Sequence, residues 1–200
     1  LREAEKLIRE KLKKGYLETP GESVGEFSET EFWSLIERSK KNAEDLESQI
    51  MMLAEYLQKR SIDDIIAFEH ILQGMLAKSY QTNLWGAAYL INGGCSDDGF
   101  DYFRGWLIAK GKDVFQNVLA NPDNLSKYIH TDDFDFREYE CEIMLGVSSM
   151  AFEMKTDQSV DAFFEKINRI PYPPIEMDWD FEDDDELKKR LPKLFKKLEG

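Results

Sequence analysis

Apolar residues recur along the chain at intervals of three and four, the period of helices that each bury one face. After residue 28 the first stripe is Phe32, Leu35 and Ile36, the second Leu46, Ile50, Leu53 and Leu57, and the third Ile65, Phe68, Leu72, Met75 and Leu76. Lys41 and Asn42 interrupt the first two, and Ser61 followed by Asp64 predicts a capping box at the head of the third. Val114, Phe115, Val118 and Leu119 predict a helix between Gly111 and Asn121-Pro122, and Tyr139, Ile143, Val147, Met150 and Met154 predict another. Residues 84–91, LWGAAYLI, are apolar on every side, as expected of a short helix running through a bundle. Ala87 and Ala88 favour helix over a buried strand there. No segment alternates with period two, so the predicted fold is all-α, a multi-helix bundle of roughly seven to nine helices with a short buried central helix.

The two ends break this pattern. Residues 1–14 carry Leu7, Ile8 and Leu12 at helical spacing, and Gly15 ends the run as a C-cap would, which predicts a separate N-terminal helix. Residues 20–28, PGESVGEFS, have linker composition, so a boundary is placed there. The main helical domain then spans 29–157, and 158–200 forms a helical extension. In it Val160, Phe163, Phe164 and Ile167 fit one more helix, which the PYPP at 171–174 stops. Residues 176–186 hold eight carboxylates and read as a solvated segment, and the basic residues after them suit the C-terminal end of a short helix. Pro192 should break or kink that helix at Leu191.

Charge narrows the function classes. With 26 basic and 40 acidic residues the net charge is −14, and removing the six basic and four acidic residues of 1–19 leaves −16. Residues 20–200 are therefore expected not to bind nucleic acid directly, since counterion release has little to work with. No apolar run is long enough to span a bilayer and no leader pattern opens the sequence, so the expected location is cytoplasmic, away from membranes. Two cysteines, Cys95 and Cys141, and two histidines, His70 and His130, support neither a disulfide framework nor a zinc module, and no metal or cofactor is expected.

One loop stands out. In INGGCSDDGFDYFRGWLI, residues 91–108, Gly93 and Gly94 suit a tight turn, and Ser96, Asp97 or Asp98 can cap the helix bearing Phe100, Phe103 and Leu107. Arg104 lies on that same apolar stripe, so it points inward and needs a carboxylate, with Asp97 the first choice and Asp101 the second. Ser96, Asp97, Asp98, Asp101 and Arg104 thus form a polar cluster with two readings. Structurally, it is a capped helix start tied by an internal ion pair. Functionally, Arg104 and backbone N–H groups bind an anion, or Asp97 and Asp98 bind a divalent cation such as Mg²⁺, although neither has a diagnostic spacing. Trp85 and Trp106 are the aromatic residues that could line a pocket beside the loop, with core anchoring as the alternative. Cys95 beside the helix start could be an activated thiol or a small hydrophobe.

FWSLIERS at 32–39, LWGAAYLINGGCSDDGFDYFRGWLIAKGKDVF at 84–115 and NPDNL at 121–125 together resemble the bacterial family known as domain of unknown function 4240, over about residues 28–157. That family brings no activity, substrate or catalytic residue to carry over. A shorter stretch, AEKLIREKLKKGYLE at 4–18, resembles the closing helix and Lys-Gly-Tyr exit of a WGR domain, a module associated with nucleic-acid-binding proteins. The Trp-Gly-Arg for which that module is named is absent, which implies that the chain begins inside a truncated WGR domain.

Three functions are compatible with these features. The first is an accessory binding domain of a larger WGR-containing, nucleic-acid-associated regulatory protein, docking a protein partner or small ligand. The second is an enzyme acting on a phosphate-bearing or other anionic substrate at the loop between Gly93 and Arg104. The third is an acidic inhibitor or immunity-type protein covering a basic target. The lack of any catalytic signature places the first ahead of the others.

Overall fold

The structure, a computed structural model, describes residues 27–130 and 139–199. The helix predicted at 1–14 and residues 20–26 of the predicted linker lie outside the described residues.

Three helices in succession begin where a short polar side chain can replace the missing backbone acceptor. Ser28 Oγ accepts from Glu31 N and the Glu31 carboxylate accepts from Ser28 N, which closes a capping box on α1 (Glu29–Asn42). Asp45 with Ser48 does the same for α2 (Leu46–Gln58), and Ser61 with Asp64 for α3 (Ile62–Lys78), as the sequence predicts. Each such cap contributes about 0.5–2 kcal/mol, enough to fix the start of a helix whose interior could slip by a residue. The chain continues through α4 (Thr82–Asn92), α5 (Asp97–Ala109), α6 (Lys112–Ala120) and a 3-10 turn over Pro122–Lys127. After residue 139 come α7 (Glu142–Leu145), α8 (Val147–Thr156), α9 (Val160–Phe164), α10 (Asp184–Arg190) and α11 (Pro192–Glu199).

The described residues contain no strand, and the fold is an all-α, multi-helix one. They hold eleven α-helices, more than the seven to nine predicted: a break at Gly146 divides one expected helix in two, and past the break expected at Leu191 the chain forms a further helix, α11. Pro192 explains the second break, since it has no N–H to continue the ladder. The break at Gly146 shifts the phase of the stripe predicted over 139–154: Tyr139 and Val147 are buried, but Ile143, Met150 and Met154 are only partly so. Met144, Ala151 and Phe152 take the core positions instead.

The core is one cluster that runs from Phe27 to Phe195. α8 packs against α2 and α3, α1 lies on α2, and α5 meets α3, α6 and α7. α4 carries Leu84, Trp85, Ala87, Ala88 and Ile91 into the core, as expected of a helix that is apolar all round. Phe27, at the end of the predicted linker, is buried with its ring 6.0 Å from that of Phe68.

The acidic run at 176–186 is not simply solvated. Trp179 and Phe181 alternate with its carboxylates, and both are only 8% exposed. Trp179 fits against Gly86 of α4, where an added Cβ would overlap the indole ring. Thr82 Oγ1 donates to Glu176 O at 2.6 Å and Tyr89 donates to Glu182 Oε1 at 3.1 Å, so α4 holds this segment at several points. Arg190 completes the arrangement by pairing with Asp178 and Glu186 and lying 5.1 Å over the Trp179 ring. Further on, the buried Asp123 carboxylate of the 3-10 turn accepts from Lys193 N and Leu194 N, capping α11 from seventy residues away.

Candidate functional site

α4 ends where Gly93 adopts φ 65°, a left-handed conformation that glycine takes without steric cost, and Gly94 N donates back to Tyr89 O at 2.9 Å. Trp85 Nε1 donates to Cys95 O at 3.0 Å, which fixes the far side of the turn. Of the three capping candidates, Ser96 is the cap: its Oγ accepts from Gly99 N at 3.1 Å. Asp97 and Asp98 follow in the first turn of α5 with their side chains exposed.

Arg104 is fully buried, as its place on the stripe requires. Its carboxylate partner is Asp101, not Asp97, because a residue three positions back on a helix lies within reach of the guanidinium while Asp97 sits nearly two turns away on the exposed end. Nε donates to Phe100 O at 3.2 Å, Nη1 donates to Leu76 O on α3, and Nη2 donates to Asp101 Oδ1. Three rings surround the cation, with centroids 4.9 Å (Tyr80), 4.7 Å (Phe100) and 4.4 Å (Tyr172) from it. Tyr172 also donates to Asp101 Oδ2 at 3.4 Å and stacks on Tyr80 at 4.8 Å. The guanidinium therefore joins α3, α5 and the segment after α9 at one point.

Trp85 and Trp106 are packed into the core. Trp85 stacks on Phe100 at 4.7 Å, and Trp106 meets the edge of Tyr139 at 5.2 Å and stacks with Phe103. The Cys95 thiol is pushed up to about 12, first by burial and then by the nearby Glu140, the opposite of an activated nucleophile. Burial likewise pushes Cys141 up to about 12. Among the described residues no group of three or more His, Cys, Asp or Glu side chains could hold a metal ion, and no helix is long and apolar enough to cross a membrane.

On the other side of Tyr172 lies a feature that the loop does not announce. A cavity of about 940 Å³ opens between α3 and residues 164–172, walled by Leu76, Phe164, Ile167, Ile170 and Pro171. Its polar lining comes from Glu69, Gln73, Arg169 and Tyr172. Leu76 and Tyr172 belong both to this wall and to the Arg104 cluster, so the cluster stands behind the cavity and positions one side of it. Glu69 is only 6% exposed, and burial raises its carboxyl above the usual range, an effect that Gln73, the neighbouring Ser148 hydroxyl and His70 partly oppose. Gln73 Nε2 donates to Glu69 Oε1 at 2.8 Å, and Gln73 Oε1 accepts from Ile170 N at 2.8 Å, tying the carboxyl to the opposite wall. Phe164 (51% exposed), Ile170 and Tyr172 are three of the four large hydrophobic residues exposed among the described residues, and all three line this cavity.

Sequence reasoning misses Glu69, although the signal is present. Glu69 follows Ile65 by four residues and precedes Leu72 by three, the same inward placement that marks Arg104. Arg169 and Tyr172 carry no such mark, because they lie in irregular chain whose path no periodicity predicts.

A family model described as a protein of unknown function (DUF4240) matches residues 27–154, well over half of the chain. The chain belongs to this family. No curated protein and no solved structure matches it significantly. The cavity takes Glu69, Gln73 and Leu76 from within the family match, and its opposite wall, residues 164–172, from beyond it. Residues 1–26, which carry the resemblance to a WGR domain, lie outside both the match and the described residues.

Proposed function

We propose that this chain is a binding module whose small ligand occupies the cavity between α3 and residues 164–172, and that it serves as an accessory domain of a larger, WGR-containing regulatory protein. One observation carries the reading. The cavity, about 940 Å³, lies within the range of small-molecule sites, has apolar walls with a few polar groups among them, and is lined by three of the four exposed large hydrophobic residues among those described. The loop at 93–104, on which an enzyme reading would rest, has its guanidinium occupied by two backbone carbonyls and Asp101. An anion arriving there would have to displace a buried ion pair.

The test uses a neutral apolar dye, Nile red, titrated into the full chain. Saturable binding at one site per chain is expected, weakened about tenfold or more by Ile167→Asp, because a carboxylate in the wall must be desolvated. A chain that leaves the dye unbound, or an Ile167→Asp variant that binds it unchanged, would remove the cavity from consideration.

A further inference from the structure

We propose that the ligand of this cavity is a small organic cation, a primary ammonium carried on an apolar body, with its charge at Glu69. The inference rests on the cavity reading above and deepens it. Glu69 is the buried ionisable group of the lining, and what meets its carboxyl among the described residues is neutral: the Gln73 amide donates to Oε1 at 2.8 Å and the Ser148 hydroxyl lies beside it. No salt bridge meets it among the described residues. A carboxylate held away from water with only neutral donors and no cation paired to it is incompletely compensated, and an incoming ammonium supplies both the opposite charge and further donors.

The rest of the cavity fits the other half of such a molecule. Leu76, Phe164, Ile167 and Ile170 offer apolar surface for its body, and the volume of about 940 Å³ lies within the range of small-molecule sites. The net charge of −14 raises the local concentration of cations around the chain. The opposing group is Arg169, the basic member of the lining, but it is exposed, so solvent screens it far more than Glu69 is screened. The other titratable neighbours are His70, next to Glu69 on α3, and Tyr172 on the facing wall. Ionisation of Glu69 is favoured by the bound ammonium, so binding of the cation should strengthen as pH rises through the titration of this carboxyl.

The experiment compares three probes that share one body and differ in charge: phenylbutylammonium, phenylbutanol and phenylbutanoate, titrated calorimetrically into the full chain at neutral pH. The ammonium should bind about tenfold or more tighter than either of the others, the ratio that a hydrogen bond between charged groups gives. In Glu69→Gln that preference should collapse while phenylbutanol binds as before. Arg169→Gln, a change at an exposed position, should leave the ammonium's affinity equal or higher. Equal binding of all three probes, or tighter binding of phenylbutanoate, overturns the cation assignment and leaves the cavity standing as a binding site. Failure of every probe to bind overturns both. A fall in ammonium affinity on Arg169→Gln also overturns the assignment, and it does so even if Glu69→Gln fails to fold.

Discussion

Arg104 and Glu69 are both ionisable side chains set on the apolar stripe of a helix, and the structure treats them in opposite ways. Around Arg104 every direction is filled: two backbone carbonyls, a carboxylate and three aromatic rings. Around Glu69 stand an amide and a hydroxyl, both neutral, and a cavity lies open beside it. Burial alone therefore does not mark a functional group. A fully satisfied buried charge serves as a joint of the fold, whereas an incompletely satisfied one beside open volume has bonding capacity left for a ligand.

Several substitutions would sharpen or break that contrast. Apart from the loss of Arg104 itself, the largest effect is expected at Asp101. Asp101→Asn leaves the buried guanidinium without its anion and should cost ~3 kcal/mol, at the low end for a broken buried pair because the Asp101 side chain keeps 31% of its surface exposed. Urea unfolding measures this, and a loss under about 0.5 kcal/mol, the range of ordinary surface changes, would mean that Asp101 does not hold Arg104. The next effect is at the join between the acidic segment and α4. Gly86→Ala places a methyl group where the Trp179 ring lies and should destabilise by about 1–3 kcal/mol, with a change in tryptophan fluorescence as the indole is displaced. A solvated acidic segment would instead tolerate alanine, a better helix former than glycine.

Smaller and of opposite sign is the effect of Glu69. Its folded-state value is raised, so between the ordinary value near 4.5 and that raised value the folded chain binds more protons than the unfolded one. Stability contributed by the protonated carboxyl is present below that window and declines as pH rises through it. Glu69→Gln should remove this decline, and unfolding curves across that pH range should show the variant gaining on the parent as pH increases. The smallest effect is at Asp97, where Asp97→Asn should change stability by no more than about 0.5 kcal/mol, since the side chain is exposed. A cost close to that of Asp101→Asn would restore Asp97 as the partner.

The helices from residue 29 to 120 are legible in the sequence because local devices mark them: Ser61 with Asp64, Gly93 after an apolar run, and Ser96 before Gly99 all act within a few residues. The placement of Arg104 is legible for the same reason, since a helix fixes which way a side chain faces. Its partner is less so, because Asp97 and Asp101 both satisfy the spacing loosely and only the finished helix shows which one reaches. The C-terminal segment is illegible in another way. Trp179 and Phe181 sit among carboxylates whose number dominates any average, and what buries them is Gly86 on α4, more than ninety positions earlier. The cavity shares that difficulty, for half of its wall is irregular chain brought back to α3 only by tertiary contacts such as Gln73 with Ile170.

The central contrast is tested most directly by unfolding Arg104→Met and Glu69→Gln side by side, without ligand, at neutral pH. Met fills similar space but supplies none of the three hydrogen bonds and leaves the Asp101 carboxylate without its cation. The account predicts a loss of about 3–5 kcal/mol for Arg104→Met, set against no loss or a gain for Glu69→Gln. An Arg104→Met chain at least as stable as the parent, or a Glu69→Gln chain destabilised as strongly as Arg104→Met, would contradict it.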